Sequence, residues 1–249
     1  MGLFGLFGSK EEREKSALRK FAKRVTERYG PPENRQKALE QLGELGTADA
    51  LSTLCLRFTV NAEPGITDQD EKETTRAILV DARERAIDPV ARFVREQENG
   101  IAWGLRVLAE IAPEGKVLSV VVDELVHLGQ TYTRDPEKKL VLLTWLREHH
   151  AGEKSADVEA ALLPLLEDFS DDVRITATRA VAAVAPGERS REALIQLLLR
   201  DRDNARVRGE VLEAMANLGA DVKGHRPSVE PLLVEPFFLD REGRVKKRG

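Results

Sequence analysis

Asp172-Val-Arg-Ile-Thr-Ala-Thr-Arg-Ala-Val-Ala-Ala-Val184 and Arg206-Val-Arg-Gly-Glu-Val-Leu-Glu-Ala-Met-Ala-Asn-Leu218 are two copies of one pattern, 34 residues apart. The offset lays Ala214 over Ala180, Met215 over Val181 and Leu218 over Val184. Apolar residues recur at three- and four-residue intervals in both copies, the period of a helix that buries one face. A repeat of this length holds a pair of helices, and one pair cannot bury its apolar face alone. The stretch therefore predicts an all-α solenoid whose helix pairs pack on their neighbours.

Working outward, the same unit recurs, more loosely, along most of the chain, giving about six pairs. The predicted first helices are Glu33–Leu45, Asp70–Arg85, Gly100–Ile111, Pro136–His149, Asp172–Val184 and Arg206–Leu218. The predicted second helices are Ala48–Phe58, Asp88–Glu96, Lys116–Leu128, Ala156–Phe169, Arg191–Arg200 and Ser228–Val234. The opening positions are Arg35, Lys72, Ile101, Lys139, Arg174 and Arg208; their unequal spacing implies loop insertions, the longest through Asn61–Asp68. Asp88-Pro89 reads as a cap followed by proline at the first helical position. Ala112-Pro113 and Ala185-Pro186 end first helices, and Pro164 must kink its helix or mark a late start. Ser9 with Glu12 forms a capping box for a helix expected to run to Tyr29, where Gly30 and Pro31-Pro32 stop it. The expected organisation is thus an apolar tip and basic amphipathic helix over residues 1–30, the repeats over 31–235 and a basic tail over 236–249. The tail carries an Asp240-Arg-Glu-Gly243 turn suited to a hairpin with Gly243 at positive φ. Phe237, Phe238 and Leu239 are expected to cover the last repeat.

Asp172 to Pro186, followed by Glu192-Ala-Leu-Ile-Gln-Leu-Leu-Leu-Arg-Asp201, resembles a HEAT repeat of the bacterial, phycobilisome-lyase-like type. Asn34-Arg-Gln-Lys-Ala-Leu-Glu-Gln-Leu-Gly-Glu-Leu-Gly46 with Ala48-Asp-Ala-Leu51 resembles another. Repeats one, five and six match well; repeats two to four are degenerate, with Ile101 where a basic residue belongs. The resemblance implies an α-solenoid over about residues 33–235 whose Asp and Arg positions pair between repeats and whose Ala and Leu positions fill the core. It implies a scaffold or adaptor function and carries no catalytic residue across.

Charged residues make up 33% of the 249-residue chain and aromatics only 5%, which suits helices packed through small aliphatic contacts. One cysteine, Cys55, permits no internal disulfide and no thiolate metal cluster, and points to a reducing, cytoplasmic setting. No apolar run approaches the length of a membrane span. The start is too short for a signal-peptide core, and Leu6 breaks the N-myristoylation pattern. The net charge of −4 is unevenly spread. Residues 1–30 hold eight Lys/Arg against four Glu and residues 241–249 five against one, so two ends of +4 bracket a body of −12.

That acidic body argues against nucleic acid as a partner. A HEAT-like enzyme acting on nucleic acid, in the manner of alkyl-base DNA glycosylases, would need a cationic groove. A chromophore lyase would need a tetrapyrrole site, and no constellation suggests one. HEAT-like metal hydroxylases carry His-Glu pairs, which this sequence lacks. Trp103 and Trp145 fall on first helices and read as packing residues. His149-His150 diverge by about 100° on a helix, too far to share a metal. His149 superposes on Val184, a core position, while His127 and His225 are isolated. No catalytic, cofactor-binding or metal residue is therefore assigned, and no cofactor is expected. The expected function is a non-enzymatic scaffold for a protein partner. The candidate docking residues lie at the ends: Leu3, Phe4, Leu6, Phe7, Lys20, Lys23 and Arg24 before the repeats, and Lys246, Lys247 and Arg248 after them. The first group, an apolar tip on a basic amphipathic helix, also suits a peripheral contact at the inner face of the membrane.

Overall fold

The computed structural model describes residues 10–152, 155–184 and 187–248. The tip residues Leu3, Phe4, Leu6 and Phe7, the Ser9 cap and Ala185-Pro186 lie outside them. The chain divides into two compact units, one ending at Val120 and the other beginning at Val121.

The first unit holds α1 (Lys10–Val25), α2 (Pro32–Leu45), α3 (Ala48–Cys55, continued as a 3₁₀ turn to Thr59), α4 (Gly65–Asp81), α5 (Glu84–Glu96) and α6 (Ile101–Ile111). α2, α4 and α6 pack side by side as one layer and α3 packs along α5 as the other, with α1 laid across α2 and α3. Helix α7 (Glu114–Gly129) runs through the division point. The second unit holds α8 (Glu137–His149), α9 (Ala156–Leu162, continued as a 3₁₀ turn over Leu163–Glu167), α10 (Asp171–Val184), α11 (Glu188–Arg200), α12 (Ala205–Leu218) and the short α13 (Arg226–Val229). Here α8, α10 and α12 form one layer, and the 3₁₀ turn after α9, α11 and α13 form the other.

The ends of the helices follow from local chemistry. Gly46 and Gly219 take the left-handed conformation after α2 and α12, with φ of 54° and 59°, a state that costs glycine little. Thr47 and Asn204 cap α3 and α12 by accepting the N–H groups of Ala50 and Val207. The superposed pairs Ala180/Ala214 and Val181/Met215 are buried as the repeat offset requires; Val184 is buried and Leu218 half-buried.

Several helix boundaries need correction. α1 stops at Val25, four residues before Tyr29. The Thr26 hydroxyl turns back to the Ala22 carbonyl, and the carbonyls of Glu27 and Gly30 are taken by Arg35 instead of by a helical turn. α4 begins at Gly65, not Asp70, because Asp68 anchors its first turn by accepting the Ala62 N–H and the Arg57 guanidinium. Asp88-Pro89 is not a helix start. α5 begins at Glu84 and carries Pro89 inside it, since burial of Ala86 extends the packed face one turn upstream. The second helix predicted over Ala156–Phe169 leaves α geometry at Leu162, just before Pro164.

After the last helix, β1 (Phe237–Leu239) and β2 (Val245–Lys247) form the expected hairpin, with Gly243 at φ 79°. The Asp240 carboxylate accepts the N–H groups of Glu242 and Arg244 and closes the turn. The hairpin lies on α12, but its apolar cover differs from the expectation. Val245 is fully buried, whereas Phe238 is exposed and Phe237 and Leu239 are half-buried. β2 is the strand that sits on the helix, so its inward residue makes the seal.

Candidate binding surfaces

Each first helix that opens on a cation uses it to tie down the loop before it. Arg35 donates to the carbonyls of Gly30 and Glu27, Lys139 to Thr131, Arg174 to Asp168 and Phe169, and Arg208 to Arg202. These loops leave carbonyls that no helix satisfies, and the cation meets that need. The carboxylate partners differ between the units. In the second unit they sit where the following second-layer segment ends: Lys139 binds Asp168 at 2.7 Å and Arg174 binds Asp201 at 2.7 Å. Asp171 accepts both Arg174 and the Asn204 amide, and Arg206 bridges to Asp172 at 2.7 Å. The Asp and Arg positions of adjacent repeats thus pair, as the family resemblance implied.

In the first unit the inserted loop folds inward and builds a denser cluster. Glu71 accepts Arg35 at 2.9 Å and Arg57 at 2.8 Å; Asp68 accepts Arg57 and, at 2.8 Å, Lys72. Asn61 from the loop accepts the second hydrogen bond of Lys72. Both arginines are fully buried, and the other three charges are nearly so. Burial works against the Asp68 carboxylate, yet its bonds to Ala62, Lys72 and Arg57 win and hold its pKa below the ordinary aspartate value. Ile101, where the resemblance expects a basic residue, is buried, so the series of cations breaks there.

The layer of second helices offers concave surface in both units. In the first, α3 and α5 flank a hollow of about 220 Å³ over Leu56, Pro89 and Phe93, rimmed by Arg92 and Glu96. In the second, the 3₁₀ turn after α9 and the outer face of α11 flank a groove of about 460 Å³. Leu163, Leu166, Ala193 and Leu197 form its floor; Glu167, Glu188, Glu192, Arg189 and Arg200 stand around it. Arg200 is held by the Leu166 carbonyl and Arg189 by Glu159. Beside this layer, Tyr132 and Phe169 pack edge to face at 5.6 Å while remaining 73% and 82% exposed. Sequence reasoning passed them over. Their positions in the loops before Lys139 and Arg174, where a polar residue is ordinary, are the signal that could have found them.

The remaining candidates take their places plainly. Trp103 stacks on Phe58 with ring centroids 5.5 Å apart, and Trp145 is buried, so both tryptophans pack. Of the histidine pair, His150 and not His149 is buried. α8 ends at His149, and the turn at His150 brings its ring against Trp145. Cys55 is buried, and burial pushes its thiol far above the usual range, which leaves it unreactive. Among the described residues no group of three or more His, Cys, Asp or Glu is arranged to hold a metal ion. No helix among them is long and apolar enough to cross a membrane.

The two basic ends, alike in sequence, part company in three dimensions. In the tail, Lys247 binds Glu213 at 2.8 Å, and Arg248 binds Glu235 and lies over the Phe238 ring; Lys246 is half-buried. On α1, Lys20, Lys23 and Arg24 are exposed and enter no ion pair among the described residues.

Helix pairs in two layers, joined by cation–carboxylate rungs, define a helical-repeat protein. Residues 159–244, which lie wholly within the second unit, match the family of HEAT repeats. Comparison with curated proteins and with solved structures gives no match.

Proposed function

We propose that this protein is a non-enzymatic scaffold that grips an amphipathic helix of a partner protein in the groove between the 3₁₀ turn after α9 and α11. The observation that carries this reading is the groove itself: an apolar floor of Leu163, Leu166, Ala193 and Leu197 inside a rim of mixed charge. An apolar stripe held between charged flanks is the surface that a helix in a groove recognises. Its face on α11 runs from Glu188 to Arg200, about 18 Å at 1.5 Å per residue, enough for three turns of a partner helix. The rim has three carboxylates against two guanidinium groups, both already engaged, so basic residues flanking the partner's apolar stripe suit it best. HEAT repeats over the same residues agree with a surface built for protein contacts.

The test is a selection of helical peptides on the full chain, followed by the double variant Ala193→Arg/Glu167→Lys. Ala193 is half-buried and Glu167 exposed, so the variant fills the groove and reverses its rim with an unchanged melting temperature. Selected peptides should be apolar with basic flanks and should lose roughly tenfold or more in affinity for the variant. Peptides that bind wild type and variant equally would overturn the groove as the binding site.

A further inference from the structure

The hairpin after the last helix has one open edge. β2 is flanked on both sides. β1 pairs with it on one side; on the other, the Val245 N–H donates to the Ala220 carbonyl and the Val222 N–H to the Gly243 carbonyl. β1 is therefore the outer strand. Backbone groups along a strand face alternate sides. The Asp240 N–H donates to the Arg244 carbonyl and the Arg248 N–H to the Pro236 carbonyl, so Pro236, Phe238 and Asp240 face β2. Phe237 and Leu239 then face outward. The Phe237 N–H donates to the Val234 carbonyl. The Phe237 carbonyl and both backbone groups of Leu239 are left without a hydrogen-bond partner among the described residues. Beside this row Val234 and Phe238 stay 41% and 36% exposed. Lys246 stands opposite Phe238, and Arg248 lies over the Phe238 ring. The side chains of Lys246 and of Arg241, in the turn, enter no ion pair among the described residues.

We infer that β1 takes an extended acidic segment of a partner protein as an added strand. A row of outward N–H and C=O groups is a template for another chain, and main-chain hydrogen bonds supply the hold. Side chains of the added strand alternate between two faces. Those beside Phe237 and Leu239 share the face that carries the buried Val245 and suit apolar residues. Those beside Phe238 share the face of Lys246 and suit carboxylates. Charge selects the occupant. Residues 240–248 hold five Lys/Arg against two carboxylates, so a second copy of the hairpin would be repelled while an acidic strand is drawn in. Pro236 at one end and the turn at Asp240 at the other limit the added strand to about three residues. This edge and the groove on α11 thus call for opposite chemistry, an acidic strand at one and a basic-flanked helix at the other.

Fluorescence anisotropy of a labelled peptide of alternating Glu and Val, added to the full chain, tests the inference. The peptide should bind, more weakly as salt is raised, and its counterpart with Lys for Glu should not. Two further peptides carry N-methyl groups, one on every Val nitrogen and one on every Glu nitrogen. Only alternate nitrogens face β1, so one of the two should lose roughly tenfold or more in affinity. Bound peptide should slow hydrogen exchange at the Leu239 amide. Arg241→Gln/Lys246→Gln should weaken binding about fivefold at low salt with an unchanged melting temperature, because neither side chain is in an ion pair. The groove variant Ala193→Arg/Glu167→Lys should bind the peptide like wild type, which separates this inference from the proposed scaffold function. Absence of binding, equal binding of the Lys peptide, indifference to both methylation patterns or an unprotected Leu239 amide would each overturn it.

Discussion

The loop edges of the two units face the same problem and solve it differently. Both must place a cation at the start of a first helix to satisfy loop carbonyls. The second unit pairs two of its cations with carboxylates from an adjacent layer, Lys139 with Asp168 and Arg174 with Asp201, while Arg208 holds only the Arg202 carbonyl. The carboxylates of these rungs are partly reached by water. The first unit gathers Arg35, Arg57, Lys72, Asp68 and Glu71 into one buried cluster, sealed by the inserted loop. The difference teaches that a ladder tolerates losing a rung, while a closed cluster does not. Removing one partner of a buried network strands the others without solvent, and that penalty exceeds what the pair itself contributes.

The largest expected effect is therefore in the first unit. Glu71→Ala leaves Arg35 and Arg57 without their shared carboxylate and should cost about 3–5 kcal/mol, read by denaturant unfolding. If Glu71→Ala unfolds no more readily than Asp201→Ala, the contrast between cluster and ladder is wrong. Asp201→Ala should cost only about 1–2 kcal/mol, because Arg174 keeps Asp171 and two carbonyls.

Acid should separate the units by degree. Asp68 in the cluster and Asp171 in the ladder both titrate below the ordinary aspartate value; for Asp171 the leading cause is its bond from Asn204, aided by Arg174. A carboxylate whose folded-state pKa is lowered contributes stability that is complete above the unfolded value. That contribution is lost as pH falls through the folded one. Melting temperature should thus hold down to about pH 4 and fall below it, and Asp68→Asn should flatten that fall more than Asp171→Asn. An equal flattening would show that burial of the cluster adds nothing to its acid sensitivity. The smallest effect belongs to the tail. Lys247→Ala removes an exposed pair with Glu213 and should change stability by less than about 1 kcal/mol.

Much of the fold was readable before any coordinates. The 34-residue offset placed α10 and α12 to within a residue, and Asp240 to Gly243 marked a hairpin turn that the structure confirms. What misled were residues whose local chemistry and tertiary position disagree. Pro89 looks like a helix start but is carried inside α5 by burial of the turn before it. His149 falls in a core register, yet the helix ends there and His150 turns inward. The phenylalanines of the tail look like the natural seal, but the strand that meets α12 is the one carrying Val245. Of the candidate docking residues, the sequence could not distinguish the two basic ends, since a charge run reads alike whether or not a glutamate on another element awaits it.

By itself the sequence determined the class of the fold, the pairing of helices into repeats and most helix ends. These depend on the spacing of apolar residues and on capping groups a few positions away, and such information is local. Only the tertiary structure decided which charges meet. Glu71 lies 36 residues from Arg35 and 14 from Arg57, and nothing in the spacing of either arginine names it as their shared partner. The same holds for the tail, where Lys247 finds Glu213 across 34 residues, and for α1, whose basic stripe faces outward because the packed face claims Leu18, Phe21 and Val25. Hydrophobic burial is non-directional and leaves a periodic trace in the chain. An ion pair needs two particular atoms within a few ångströms, and that is fixed only when the loops have folded.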